Sequence, residues 1–156
     1  MKKYVLIGFV SFLTLIGCNS DVLVDQYHSL PESGWHYKNV VMDTFQPQSD
    51  YYHQLYANVR INGDYGYSNL YVRLTIIAPD STATKEVINL KLAENSGKWL
   101  GSGIGDAITF QLPILGKQTF KQKGTYTVKI EQYMRLENLP NVLSAGIKVQ
   151  QLEEIY

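Results

Sequence analysis

The chain has 156 residues, 45% of them hydrophobic, and its 14 basic residues balance 14 acidic ones. This is the length of one domain that can bury a core without cross-links, and a single cysteine excludes a disulfide within the chain. The near-neutral charge argues against nucleic acid as a partner and against a polybasic membrane patch, since both need a strongly basic surface.

The first 18 residues have the pattern of a bacterial lipoprotein signal. Lys2 and Lys3 give a basic start, and residues 4–16 form an apolar run that is too short to span a bilayer. The run ends at Leu15-Ile16-Gly17-Cys18, a lipobox, in which the Cys18 thiol can carry a diacylglyceryl group as a thioether. We expect a signal peptide at residues 1–17, lipidation of Cys18, and membrane attachment through acyl chains such as palmitate. An ordinary secretory signal with an accidental cysteine is the alternative.

Residues 18–34 are predicted to be a tether between the lipid anchor and the domain. Their polarity is mixed, Pro31 interrupts them, and they have no regular period. The apolar residues Val22, Leu23, Val24 and Tyr27 leave open that part of this tether docks on the domain.

From Trp35 onward, strand patterns alternate with turn signals, as in all-β domains. In the second strand, for example, Leu55, Ala57 and Val59 share one face. Seven strands are predicted, at residues 35–45, 52–61, 70–78, 87–92, 107–114, 125–134 and 145–152. No long segment has the helical period that crossover connections between parallel strands require. Residues 35–156 are therefore predicted to form an antiparallel two-sheet β-sandwich of about seven to eight strands, immunoglobulin-like or jelly-roll-like.

The most distinctive internal stretch is the glycine-rich segment 92–106. It does not fit a phosphate-binding loop, because Lys98 is followed by Trp99 and a strand pattern follows where a helix is needed. Two interpretations stay open. Trp99 either closes one end of the sandwich or anchors a partner on an exposed loop, since aromatic residues are frequent interface hot spots.

A cluster of tyrosines surrounds the turn before the third strand and is a second candidate surface. Tyr65 and Tyr67 precede Tyr71 there, and such side chains suit a protein partner or a sugar. Half-buried packing at the rim of the sandwich is the alternative. Arg135 follows a long strand and is a further partner-binding candidate, or it forms an ion pair with Glu131 or Glu137.

No pattern in the sequence predicts catalysis, a metal ion, a cofactor or a small-molecule substrate. His28, His36 and His53 have no zinc-binding spacing and are expected at solvated or edge positions. Asp64 and Asp106 lie in turns and are expected to be turn residues rather than calcium ligands. Ser81, in Asp80-Ser81-Thr82, fits a short acceptor pattern for O-glycosylation and is a candidate modification site.

Together these stretches resemble the GldH family of gliding-motility-associated lipoproteins of Bacteroidota. Gly97-Lys98-Trp99-Leu100-Gly101 is the most specific part of the resemblance. Two departures occur in turns, where Gly66 replaces a common proline and Ser144-Ala145 replaces a more acidic pair. The other matching pieces are Trp35 and residues 58–62, 64–70, 92–93, 102–106, 124–126, 132–135 and 146–147.

The resemblance implies a non-enzymatic, lipid-anchored accessory of the gliding apparatus, which is linked to type IX secretion. The expected location is the outer membrane, and the expected partners are envelope proteins. Residues 19–21 are not the acidic run that often accompanies surface export, so a periplasm-facing position is favoured. No catalytic residue carries over from the family, and Cys18 alone has an implied role. A lipid-anchored carbohydrate-binding module is the alternative, because of the tyrosine-rich turn.

Overall fold

The computed structural model describes residues 21–156, so the predicted signal peptide and Cys18 lie outside the described residues. Within that range the chain forms strands and turns without a helix, and hence has no helix that could cross a membrane. The strands are β1 (Val22–Asp25), β2 (His28–Ser29), β3 (Trp35–His36), β4 (Val41–Phe45), β5 (Tyr51–Asn62), β6 (Asn69–Ile77), β7 (Ala83–Lys91), β8 (Ser102–Ile104), β9 (Ala107–Pro113), β10 (Gln118–Thr119), β11 (Tyr126–Gln132), β12 (Asn138–Leu139) and β13 (Val142–Glu154).

Two antiparallel sheets pack against each other. The large sheet has the order β1-β13-β5-β9-β8, with β10 added beside β5 and β2 beside β13. The small sheet has the order β4-β11-β6-β7, and β3 pairs with β12 as a separate ribbon. The predicted all-β antiparallel sandwich is confirmed.

The core lies between the inner faces of the two sheets, where the sequence pattern places it. In β5, Leu55, Val59 and Ile61 are all fully buried, and β6 and β11 contribute the facing layer through Val72 and Val128. Because side chains alternate across a strand, one period-2 pattern in each sequence segment is enough to build this interior.

The structure corrects two predicted boundaries. The single strand predicted at residues 35–45 is two short strands, β3 and β4, because the chain turns through residues 37–40. Within the segment predicted to be a tether, residues 18–34, β1 and β2 both pair with β13, so the partial docking that its apolar residues left open does occur. The sandwich therefore begins near Val22, well before the predicted start at Trp35.

The N-terminal segment docks by covering a polar spot on the outside of the large sheet. Asn58 is fully buried there, and its amide donates to Asp25 Oδ1 at 2.7 Å and to the Gln26 carbonyl at 3.0 Å. The Gln111 side-chain amide donates to Asn58 Oδ1 at 3.1 Å. A buried amide needs such partners, so Asn58 fixes the path of residues 25–26 across the sheet.

Candidate functional site

Two of the four predicted partner-binding residues lie inside an aromatic cluster at one end of the sandwich. Tyr65 is only 4% exposed, and its hydroxyl donates to the Asn69 carbonyl at 3.0 Å. Burial raises the pKa of the Tyr65 phenol, so it stays neutral. Trp99 is half-buried, with its ring 6.5 Å from that of Phe110 and 6.4 Å from that of Tyr65. Of the two interpretations of Trp99, this position favours the closing of the sandwich end.

The other two candidates, Tyr67 and Arg135, come together on the outer face of the small sheet. They line a groove of about 570 Å³ whose walls are mostly apolar. We call this groove the tyrosine face; its residues are Tyr67, Tyr71, Val87, Tyr133, Met134, Arg135 and Leu136. Five of these seven side chains are large hydrophobic groups between 38% and 51% exposed. A contiguous exposed apolar surface of this kind is typical of an interaction site.

The path of the chain after β11 builds this groove. Tyr71 on β6 faces outward, and its carbonyl accepts a hydrogen bond from the Tyr133 amide at 2.8 Å. The Tyr71 amide in turn donates to the Met134 sulfur at 3.3 Å. Residues 133–136 are thereby held alongside β6 as one wall of the groove, while Val87 on β7 forms the opposite wall.

A charged pair supports the ring of Tyr133. Arg73 donates from Nε to Glu131 Oε1 at 2.8 Å, and its guanidinium lies 5.0 Å from the centre of the Tyr133 ring. The hydrogen bond to Glu131 raises the pKa of Arg73. An arginine over a tyrosine ring is attracted by the ring quadrupole, and the pair orients the ring at low entropic cost.

Arg135 does not form the ion pair that was one of its two predicted roles. Glu131 is paired with Arg73, and the Glu137 carboxylate lies 3.6 Å from His36. Within residues 21–156 Arg135 takes part in no ion pair, so it brings an uncompensated positive charge to the edge of the tyrosine face.

A second group of exposed apolar side chains lies on the small sheet, apart from the tyrosine face. Val40 and Met42 at β4 are exposed, and they line a second hollow of about 450 Å³ with Ile77 and Ala83. Lys85 and Lys129 border this hollow. The outer face of the small sheet thus carries two partly apolar hollows, with charged and polar groups between them.

The remaining sequence-based candidates lie apart from this face. Ser81 is exposed in the turn after β6 with a φ of 68°, and its glycosylation stays a prediction. In the same turn, hydrogen bonds from Gln122 and then from Thr82 lower the pKa of Asp80. Asp64 and Asp106 are exposed turn residues, and residues 21–156 contain no cluster of three or more potential metal ligands.

The expectation for the three histidines holds for two and is wrong for His53. His28 is exposed and contacts Asp43 Oδ1 at 2.8 Å. His36 is partly exposed at the β3–β12 ribbon. His53 is fully buried on the inner face of β5, edge-on to Phe120 at 5.3 Å, and neither of its ring nitrogens makes a hydrogen bond of good geometry.

Burial of His53 predicts an acid-sensitive fold. Burial lowers the pKa of His53, and a backbone interaction with Tyr51 offsets this only in part. Below about pH 6.5 the unfolded chain therefore binds a proton that the folded chain does not. Protonation of His53 therefore leaves the free energy of unfolding unchanged above about pH 6.5 and lowers it as the pH falls from there through the pKa of the folded state. We expect His53→Leu to show a smaller loss of unfolding free energy between pH 7 and pH 5 than the unmodified chain does, measured by urea denaturation.

The matched control for His53→Leu is His36→Gln, which removes a partly exposed histidine. This variant should keep the pH dependence of the unmodified chain. Equal pH dependence for His53→Leu and His36→Gln would contradict the role given to His53.

The fold and this face define the class of protein, which is a small antiparallel β-sandwich domain with an exposed aromatic surface on its smaller sheet. A profile of the family described as GldH lipoprotein matches residues 22–149. The chain therefore belongs to the GldH lipoprotein family, which confirms the resemblance seen in the sequence.

Two curated proteins are similar to nearly the whole chain. The gliding motility lipoprotein GldH homolog of Christiangramia forsetii is 28% identical over 155 residues, covering 91% of this chain and 93% of its own length. The gliding motility lipoprotein GldH of Flavobacterium johnsoniae is 27% identical over 147 residues, covering 89% and 91%. No solved structure gives a significant match.

Proposed function

We propose that this chain is an outer-membrane lipoprotein and a non-enzymatic accessory of the gliding and type IX secretion-linked envelope machinery. Its domain acts as a protein-interaction module that faces the periplasm. The proposal is supported by the names of the two similar proteins, both gliding motility lipoproteins, and by the lipobox at Cys18.

The observation that carries the proposal is the tyrosine face. Tyrosine, methionine and arginine are enriched at protein interfaces, and tyrosine and arginine are frequent hot spots. Here Tyr71, Tyr133, Met134 and Arg135 line one groove. The Arg73–Glu131 pair fixes one ring in advance, which reduces the ordering cost of binding.

Acyl chains on Cys18 give this face a physical advantage. Each buried CH₂ contributes about 0.8 kcal/mol, so two or three chains hold the domain to the membrane for long times. Confinement to a surface raises the effective concentration of the domain near other envelope proteins. An affinity that would be too weak in solution then suffices.

Loss of the tyrosine face is expected to release the partner without unfolding the domain. After crosslinking in the native cell, the double variant Tyr71→Ala with Tyr133→Ala should recover at least tenfold less envelope protein together with the lipoprotein than the unmodified chain does. A single interface hot spot is worth about 2 kcal/mol or more, which is over tenfold in affinity. Recovery is measured by affinity purification and mass spectrometry.

The matched control is Leu143→Ala, an exposed hydrophobic residue on the large sheet, which should leave recovery unchanged. Cys18→Ala should lose both membrane attachment and partner. Equal recovery with the double variant and with Leu143→Ala would refute the tyrosine face as the binding surface.

A lipid-anchored carbohydrate-binding module is the second candidate function. The exposed rings of Tyr71 and Tyr133 beside Arg135 favour it, because aromatic rings and a few polar groups in a groove of this size also suit a sugar. Binding of the protein to arrayed glycans that disappears with Tyr133→Ala would favour a sugar over a protein partner.

A further inference from the structure

β7 is a long edge strand with one unpaired side. Its nine residues, Ala83–Lys91, pair with β6, and β7 ends the order of the small sheet. Within residues 21–156 no strand pairs with its second side. Edge strands in natural proteins are usually short or covered, because a free row of N–H and C=O groups is a template for another strand.

The inner face of β7 is also left uncovered along half of its length. Residues 84, 86, 88 and 90 face the interior, since they lie opposite inward-facing residues of β6. Leu90 is buried, whereas Thr84 and Glu86 are exposed, so the two sheets diverge toward the start of β7. The sandwich is open on this side.

The diverging sheets leave a cleft between them. It has a volume of about 240 Å³, an apolar floor that includes Leu74, Ile76 and Phe120, and a polar mouth that includes Thr84 and Glu86. This is below the roughly 300–1,000 Å³ of typical small-molecule sites. It is better suited to a single large side chain projecting from a neighbouring strand.

Charge at the mouth of the cleft restricts what can enter. Glu86 makes none of the ion pairs in the described part of the chain. A cationic side chain placed opposite it would be stabilised, because opposite charges on neighbouring strands attract. On the outer face, Lys85 and Lys91 disfavour a strand that brings positive charge to that side.

We propose that an extended segment of a protein partner adds to β7 as a fifth strand of the small sheet. Its inward side chains alternate with outward ones, and the inward set includes one large apolar residue in the cleft and a lysine or arginine beside Glu86. In this mode of recognition, main-chain hydrogen bonds supply affinity and pockets for alternate side chains supply specificity. This inference rests on the proposed protein-binding function and names the form of the partner.

Random twelve-residue peptides displayed on phage test the proposal against the full-length protein in detergent micelles. We expect the enriched peptides to share an alternating pattern, with an apolar residue two positions from a lysine or arginine. In a second selection, against the Glu86→Lys variant, the enriched peptides should carry aspartate or glutamate at the position of that basic residue. Glu94→Lys reverses another exposed charge, which does not line the cleft, and should leave the pattern unchanged.

A second variant tests the cleft itself. Thr84→Trp places a large ring at the mouth of the cleft from an exposed position, so the fold should tolerate it. It is expected to weaken binding of an enriched peptide at least tenfold, measured by fluorescence anisotropy. Enriched peptides without alternation, or with a pattern that Glu86→Lys leaves unchanged, would overturn the proposal.

A second copy of this chain is the competing occupant, and cysteine crosslinking identifies it. A symmetric antiparallel β7–β7 pairing would centre on Val87, because centres at Lys85, Glu86 or Ile88 bring like charges opposite each other. Val87→Cys would then form a disulfide-linked dimer in native membranes, whereas Lys85→Cys would not, since its sulfurs would be too far apart. That result would overturn the proposal in favour of self-pairing.

The two proposals fail in distinguishable ways. If Tyr71→Ala with Tyr133→Ala keeps full recovery of envelope proteins while alternating peptides are still enriched, the tyrosine face is not the binding surface and strand addition to β7 stands. If that double variant loses its partner but no alternating peptide is selected, strand addition alone is wrong.

Discussion

Replacing Trp35 with alanine is expected to lower the free energy of unfolding by about 4 kcal/mol, the middle of the range for a fully buried aromatic residue. Trp35 is completely buried, and its indole nitrogen donates to the Asn39 carbonyl at 2.8 Å. It lies on β3, which pairs with β12 through Leu139. Alanine would leave a cavity under this ribbon and remove the only side-chain hydrogen bond described for Trp35.

Urea denaturation, monitored by far-UV circular dichroism, measures this loss of unfolding free energy without relying on tryptophan fluorescence. Trp35→Phe should lose less stability, because it keeps most of the buried area. Tyr133→Ala is the exposed aromatic control and should change the free energy by less than about 1 kcal/mol, as is usual at the surface. A loss below about 1 kcal/mol for Trp35→Ala would show that the β3–β12 ribbon is not part of the cooperative unit.

The main strands could be predicted from the sequence because their alternation is strict and local. In β5, Leu55, Ala57 and Val59 recur with period 2, and burial of one sheet face turns that period directly into a core. The same alternation carried a signal that was missed. His53 has the parity of Leu55 and therefore points inward, and Tyr133 has the parity of Lys129 and Glu131 and therefore points outward.

The sequence left open that the segment of β1 and β2 docks, but where it docks could not be predicted, because the contacts that hold it lie far away in the chain. Asn58 is 33 residues from Asp25, and its burial depends on a contact that no local pattern encodes. The burial of Tyr65 is similar, since a tyrosine in a turn has no period, and only the approach of Trp99 and Tyr67 shows which way its ring points.

The candidate binding surfaces illustrate the same limit. The tyrosine face combines the end of β11 with β6 and β7. Val87 and Tyr133 line one groove because β7 and β11 are the two neighbours of β6 in the sheet. The sequence identified Tyr67 and Arg135 as separate candidates, and the fold places both of them on the lining of this groove. The open edge of β7 likewise follows from sheet order, because a strand pattern does not reveal whether a strand has one neighbour or two.

Gly146→Ala is the second substitution expected to have a large effect, about 3 kcal/mol in the free energy of unfolding, from overpacking. Gly146 lies on β13 beneath the docked N-terminal segment, where an added Cβ would overlap the carbonyl oxygen of Gln26 and lie 2.7 Å from its carbon. The backbone of Gln26 cannot yield without breaking its hydrogen bonds to Ile147 and Asn58. We expect alanine to detach residues 22–29, and hydrogen exchange in these residues should accelerate together with the loss of stability.

Gly116→Ala is the matched control for this last substitution, because nothing lies within 4 Å of a Cβ at Gly116. It should leave stability unchanged or raise it by up to about 1 kcal/mol, since alanine restricts the unfolded chain. If both alanine variants unfold at the same urea concentration, docking of the N-terminal segment contributes nothing to the stability of the sandwich, which would contradict the role given to Gly146. If only Gly146→Ala is destabilised, the N-terminal segment is part of the sandwich, and the lipid anchor proposed at Cys18 would lie only a few residues before the first strand of the sheet.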